Sequence, residues 1–238
     1  MKRILIALAV LLAVQVADAQ VKSPEAAKKA VLAAEEASQN PKKNTKVATW
    51  LKLATSYMDA YEAPVGNVLV NSPRVQLQMM MGNEKPTAVE EVVVDGMPFK
   101  KEVYSNKNLY FDGTDVLRIV EVTVPVFEDP LAGALAAYAK AYEVDVKKSK
   151  EKDIVAGIQS IQQKYFNDGM NQYSLGDYKK AAALVGKAAA ASEVAPYSVV
   201  DTTALYNAGY IYWAASDFES AKTEGQAIKA EVTAMLGF

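Results

Sequence analysis

Residues 203–221 read TALYNAGYIYWAASDFESA, and the fold prediction is built outward from this stretch. Small and aromatic residues alternate in it at helical spacing until Ser216-Asp217, where the pattern breaks. A related run, YFNDGMNQYSLGDYKKA, occupies residues 165–181 and breaks at Gly176-Asp177. A glycine, an aromatic residue and an alanine follow one another in both runs. The two runs therefore predict two consecutive pairs of helices, each pair joined by a tight turn.

This recurrence resembles the tetratricopeptide repeat, a pair of antiparallel helices repeated every 34 residues. In that family a small residue lets the first helix approach the second, and an aromatic residue and an alanine of the second helix interlock with it. The matching pairs here are Gly169 and Gly209 for the small residue, Tyr178 and Phe218 for the aromatic residue, and Ala181 and Ala221 for the alanine. The separation is 40 residues instead of 34, which implies an insertion near Glu193–Ser198.

A third copy of the repeat is split. Trp50, Leu53 and Tyr57 match the first helix, but no second helix follows at the expected distance. The residues that match a second helix are Ala134, Tyr138 and Ala141. The resemblance thus implies a mainly α fold, a tetratricopeptide-like superhelix with a small antiparallel β insertion inside its first repeat. A generic helical bundle with alanine-rich interfaces is the alternative.

The β insertion is predicted from a change of composition near residues 86–125. Four β-branched or aromatic runs occur there, at Val89–Val94, Phe99–Tyr104, Leu109–Phe111 and Val116–Val124. Asp-Gly pairs at 95–96 and 112–113 are hairpin signals, so we expect an antiparallel sheet of two to four strands. A short helix near Arg74–Met81 is expected to precede it.

Helices are expected on both sides of the sheet. Ser23-Pro24 is a capped helix start and Asn40-Pro41 is a stop. The predicted helices are 24–39, 45–61, 130–144, 152–175, 177–192, 201–215 and 217–236. Four segments are predicted in all. They are a signal peptide at 1–19, described next, N-terminal helices with the first helix of the split repeat at 20–65, and the β-hairpin insertion at 66–129. The second helix of the split repeat and two further helix pairs follow at 130–238.

The N-terminus has the pattern of a signal peptide. Lys2 and Arg3 precede an apolar run, Ile4–Val14, and Ala17-Asp18-Ala19 has the small residues that signal peptidase needs. Cleavage after Ala19 would leave Gln20 first, and would place the protein in the periplasm or at the outer membrane of a Gram-negative cell. The run is shorter than the roughly 20 residues of a membrane span, so an uncleaved anchor is the weaker alternative.

Composition argues against several functions. The chain has no histidine and no cysteine, so the usual general base, the usual zinc ligands and disulfides are absent. A net charge of −2 without a basic stripe does not favour nucleic-acid binding. Ser149-Lys150 is a formal serine–lysine pair at an unspecific spacing. We therefore expect no enzyme activity, no cofactor and no metal.

The family resemblance implies a concave groove lined by the first helix of each repeat. Six of the residues carried onto that groove are taken as the partner-binding site: Phe166, Met170, Tyr173, Tyr206, Tyr210 and Trp213. The alternative is that this aromatic stripe is core. The expected function is an exported scaffold or adaptor that holds a protein or peptide partner. A periplasmic module that binds a small ligand or glycan, by this groove or by the sheet, is the second possibility.

Overall fold

The computed structural model describes residues 21–223 together with residues 225 and 226. In this part of the chain seven helices and four strands have both ends, and a further helix begins at Phe218. The elements are α1 Pro24–Gln39, α2 Val47–Glu62, α3 Arg74–Met81, β1 Ala88–Val94, β2 Met97–Val103, β3 Lys107–Phe111, β4 Leu117–Val122, α4 Pro130–Val144, α5 Glu151–Ser174, α6 Tyr178–Ser192 and α7 Thr202–Ala214. The predicted signal peptide and most of the predicted helix 217–236 lie outside the described residues.

Local signals set the helix ends. The Ser23 hydroxyl accepts a hydrogen bond from the N–H of Ala26, and Pro24 is the first residue of α1. Asp129, Asp177 and Asp201 cap α4, α6 and α7 in the same way, each accepting from the N–H three residues ahead. Such caps satisfy N–H groups that have no partner within the helix. The helices predicted between residues 24 and 215 are confirmed, with ends that agree to within two residues.

The four strands form one antiparallel sheet in the order β1-β2-β3-β4. β1 and β2 meet at Asp95-Gly96, where both residues have positive φ, 50° and 75°. An Asp-Gly pair adopts this left-handed backbone at little cost, which is why it marks a hairpin. The Asp112 side chain accepts from the N–H groups of Thr114 and Val116, closing the turn before β4. The prediction of a small antiparallel sheet is confirmed with four strands.

Six helices pack in sequence, α1 on α2, α2 on α4, α4 on α5, α5 on α6 and α6 on α7. The sheet and α3 stand between α2 and α4 along the chain, although those two helices pack directly on each other. A Cβ on Gly133 of α4 would lie 2.7 Å from the ring of Tyr57 in α2, so the glycine permits this close approach. The mainly helical architecture is therefore confirmed.

The sheet has two unequal faces. On one face the side chains of β3 and β4 are covered by α3, with Leu77, Leu109, Phe111 and Leu117 in a common core. On the other face Val94, Phe99, Tyr110 and Ile119 form a second cluster, and Leu175 at the end of α5 packs against it. Leu175 thus joins the sheet to the helical array, close to the end of α5 that carries the predicted groove residues.

Candidate functional site

The helices α5, α6 and α7 that carry most of the predicted site are held together by small residues. Ala181, Ala182, Val185 and Ala189 of α6 pack against Ala204, Leu205, Ala208 and Ile211 of α7. A Cβ on Gly169 of α5 would lie 2.6 Å from Cγ2 of Val185 and 3.1 Å from the carbonyl oxygen of Ala181. Gly169 therefore sets the distance between α5 and α6, the role that its repeat position predicts.

The predicted packing residues fall into two groups. Buried or half-buried are Trp50, Leu53, Tyr57, Ala134, Tyr138, Ala141, Gly169, Ala181, Gly209 and Ala221. Tyr178 and Phe218 are 38% and 60% exposed, although the Tyr178 ring lies 5.2 Å from that of Tyr173 on the preceding helix. Their assignment as packing residues stays a prediction.

Three of the predicted groove residues are solvent-exposed on one face of α7. Tyr206, Tyr210 and Trp213 are 63%, 49% and 58% exposed. Their spacing of four and three residues places them side by side along the helix. The alternative that this stripe is core is therefore wrong for α7.

The groove residues of α5 differ from those of α7. Met170 is exposed. Phe166 and Tyr173 are half-buried and pack against the hydrophobic core, Phe166 on two clusters at once. Phe166 consequently contributes to stability and offers little surface to a partner. Sequence spacing could not separate the half-buried residues of α5 from the exposed ones of α7, because residues such as Phe166 and Tyr206 occupy equivalent positions of the repeat.

The aromatic residues of this region include two ring pairs. The rings of Tyr210 and Trp213 are 6.1 Å apart, and those of Tyr173 and Tyr178 are 5.2 Å apart. Burial raises the pKa of the Tyr173 hydroxyl, and the neighbouring Tyr210, Tyr178 and Asp95 raise it further. We call Tyr173, Tyr178, Tyr206, Tyr210 and Trp213 the aromatic row. Sequence reasoning did not include Tyr178 in this row.

The charges near the aromatic row are partly free: Lys179 and Lys180, which follow Tyr178, are exposed and form no ion pair within the described residues. Helix α7 has no charged residue. On the neighbouring side of α5, Lys164 pairs with Glu62 at 2.8 Å. The exposed amides of Gln163 and Asn167 are hydrogen-bonded to each other at 2.8 Å. Asp95, at the tip of the β1–β2 hairpin, is exposed and makes no ion pair within the described residues.

A half-buried carboxyl lies between α2 and α5 and was not predicted. Both oxygens of Asp168 are 3.0 Å from the Tyr61 hydroxyl, which donates to them. Burial raises the pKa of Asp168 to about 6, although Tyr61, Lys164 and Lys180 each lower it. It is the one carboxyl in the described part of the chain whose pKa is clearly raised. Its side chain ties two helices together.

An open apolar cavity of about 350 Å³ lies between α4 and α6. Its walls include Leu135, Ala136, Ala139 and Val194. At one end Asp129 accepts hydrogen bonds from Tyr165 and Lys187, both at 2.7 Å. Burial alone would raise the pKa of Asp129, but these donors hold it below its ordinary value. The polar groups of the cavity are thus already paired.

The described residues contain no cluster of acidic side chains able to hold a metal ion. Within the same ranges, no helix has the length and hydropathy needed to cross a membrane. Comparisons of the chain with protein-family models, curated proteins and solved structures give no match. The tetratricopeptide resemblance accordingly remains a prediction from the residues quoted above.

Proposed function

We propose that this protein is an exported helical-repeat scaffold of the tetratricopeptide type, which binds a protein or peptide partner through the aromatic row. The observation that carries the proposal is the exposure of Tyr206, Tyr210 and Trp213 on one uncharged helix. Contiguous exposed apolar patches often mark binding surfaces, and aromatic residues are enriched at the energetic centres of protein interfaces.

Three features support the repeat assignment. Gly169 permits the close contact of α5 with α6, as its repeat position requires. The helices α2 and α4 pack on each other across the inserted sheet, as expected for the two halves of one split repeat. The alanines of α6 and α7 form the interface between successive pairs. In this proposal α2–α4, α5–α6 and α7 with the helix that follows are the three repeats.

Affinity purification of the tagged protein from the periplasm tests the proposal. A stoichiometric protein partner is expected, and the double variant Tyr210→Ala/Trp213→Ala should lose it. The matched control is Met79→Ala on α3, since Met79 is 74% exposed and lies outside the aromatic row. Equal recovery of the partner by both variants would contradict the assignment of the site.

The second candidate function is binding of a glycan. The exposed ring pair of Tyr210 and Trp213 favours it, because two neighbouring rings inclined by 32° offer faces on which a sugar could stack. Purification without any protein partner, together with retention on an immobilised oligosaccharide, would favour this candidate over the scaffold.

Export is a separate part of the proposal. The N-terminal pattern of Lys2, Arg3, an apolar run and Ala17-Asp18-Ala19 supports cleavage before Gln20. Mass spectrometry of the periplasmic protein should find Gln20 at its N-terminus. An intact N-terminus on protein recovered from the cytoplasm would contradict the localisation.

A further inference from the structure

The inserted sheet has one covered edge and one open edge. β4 is covered where it begins, because Asn71 donates its N–H to the carbonyl oxygen of Leu117 at 2.8 Å and Leu117 donates its own to that of Ser72 at 3.0 Å. At the other side of the sheet, β1 has only β2 beside it among the described residues. Alternate N–H and C=O groups of an edge strand point away from its neighbour. The outer side of β1 is therefore free to pair with a further strand.

β1 lacks several features that keep a sheet edge from pairing. It runs without a bulge over Ala88–Val94 and contains neither proline nor lysine, which natural proteins place on edge strands to block them. Val89 and Val93 are 53% and 74% exposed. Residues two apart in a strand share a face, so these valines and Glu91 between them lie on the same uncovered side.

The charges of β1 restrict what can pair with it. Glu90 and Glu91 lie in the middle of the strand, and Asp95 follows at the turn. Glu90 pairs with Lys101 of β2 at 3.2 Å, whereas Glu91 and Asp95 make no ion pair within the described residues. An added strand would lie about 4.8 Å from β1 and about twice as far from β2. It would therefore be closer to these acidic residues than to Lys100 and Lys101.

The inner side of β1 shows a pairing that the outer side can repeat. Lys100 of β2 is opposite Glu91. A second copy of the chain does not offer this arrangement, because two β1 strands paired antiparallel at their middle would set glutamates opposite or diagonal to glutamates, and like charges so placed repel. Lys85, the nearest lysine before β1, is exposed and lies beyond the paired positions. The edge thus favours a strand that carries a basic residue opposite Glu91.

We infer that β1 is a second docking surface, which binds an extended segment of a protein partner as an added strand with a basic residue opposite Glu91. Hydrogen bonds along the backbone hold the segment, and side chains at alternate positions select it. Apolar residues on both sides of the basic one pack beside Val89 and Val93. The surface belongs to the inserted sheet and does not depend on the aromatic row.

Hydrogen exchange of the full-length protein, read by NMR, tests the inference with the peptide Thr-Val-Thr-Lys-Thr-Val-Thr. Its symmetric order of lysine and valines matches Glu91, Val89 and Val93 in either strand direction. Without peptide, alternate amides of β1 should exchange rapidly because they face water. With saturating peptide these amides should become protected. The same peptide methylated at every backbone nitrogen cannot donate, and it should give no protection.

A charge exchange locates the contact. Glu91→Lys should weaken binding of the lysine peptide severalfold and strengthen binding of the same peptide with glutamate at its centre. Glu91→Gln avoids a second lysine opposite Lys100 and should reduce the preference for the lysine peptide. The matched control is Glu36→Lys, at an exposed position of α1, which alters the net charge equally and should leave binding of both peptides unchanged. Circular dichroism checks that each variant is folded.

The possible results separate this inference from its alternatives. No protection of β1 by the lysine peptide on folded protein would overturn it. Protection of β1 that rises with protein concentration in the absence of peptide would overturn it in favour of a second copy. Equal binding of the lysine and glutamate peptides to the parent would overturn the choice of a basic segment. The scaffold function is tested by partner recovery with the aromatic-row variant, so either proposal can fail while the other stands.

Discussion

At the scale of single residues, Asp168 is the position where burial and charge are most in conflict. Its ordinary pKa is 3.8 and the folded protein raises this to about 6. The folded state therefore holds the proton more tightly than the unfolded state. By linkage, the free energy of unfolding contributed by this group falls as the pH rises from 3.8 through about 6.

Asp168→Asn should remove this dependence. The amide oxygen can still accept from Tyr61, and no charge has to be buried at neutral pH. The difference between a pKa of 3.8 and one of about 6 corresponds to roughly 2–3 kcal/mol. We expect the variant to be more stable than the parent at pH about 8 and nearly equal to it at pH about 4.

Urea unfolding of both proteins across this pH range measures the effect. The control is Asp153→Asn on the same helix, where the carboxylate is exposed and pairs with Lys150 at 3.0 Å. A constant difference between Asp168→Asn and the parent at every pH would show that the carboxyl does not titrate in this window.

At the scale of elements, the contact of α5 with α6 depends on the missing side chain of Gly169. An added methyl group would meet Cγ2 of Val185 at 2.6 Å and the backbone oxygen of Ala181 at 3.1 Å. Neither neighbour can yield easily, because Val185 is fully buried and β-branched and the carbonyl belongs to a helix backbone.

Gly169→Ala should therefore destabilise the protein by about 1–3 kcal/mol, even though alanine is the better helix former. Gly225→Ala is the matched control, since a Cβ there would meet nothing within 4 Å. It should be neutral or stabilising by up to about 1 kcal/mol. Thermal melts compare the two variants. Equal melting temperatures for both would mean that α5 and α6 are packed less closely than described.

The elements also show what sequence could and could not predict. The helix ends followed from local signals such as Ser23-Pro24 and Gly176-Asp177, which act within a few residues. The contact between Tyr61 and Asp168 joins residues that are 107 positions apart in the sequence, and no local pattern predicts it. The stripe on α7 was predicted, but its exposure depends on which helices pack nearby.

At the scale of the whole molecule, the sheet and the helical array have separate cores. The core under α3 is built from the sheet, α3 and Val68, and it includes no residue of the array helices. On the opposite face of the sheet, Leu175 at the end of α5 packs against the strands and links the two parts. The chain re-enters the array at Phe127, whose ring meets the edge of Tyr57 at 5.6 Å.

This arrangement predicts that the array folds without the sheet. Replacing residues 68–124 by a short Gly/Ser linker keeps Val126 and Phe127, which pack with α1 and α2. Because α2 and α4 pack directly on each other, the linker has only to close a loop between them, and the cost of closure changes slowly with length. The expected result is a protein that keeps its helical circular dichroism and melts cooperatively.

Leu175 is the one foreseeable complication, since deletion uncovers an apolar side chain that the sheet now shields. The deletion should therefore be made a second time with Leu175→Ser, which should improve solubility without altering the melt. In the intact chain Leu175→Ala should cost no more than about 2 kcal/mol, because the side chain is half-buried. Loss of helicity or of a cooperative transition in both deletion proteins would show that the sheet is part of the folding core of the array. It would then follow that α2, α4 and the inserted sheet fold as a single unit.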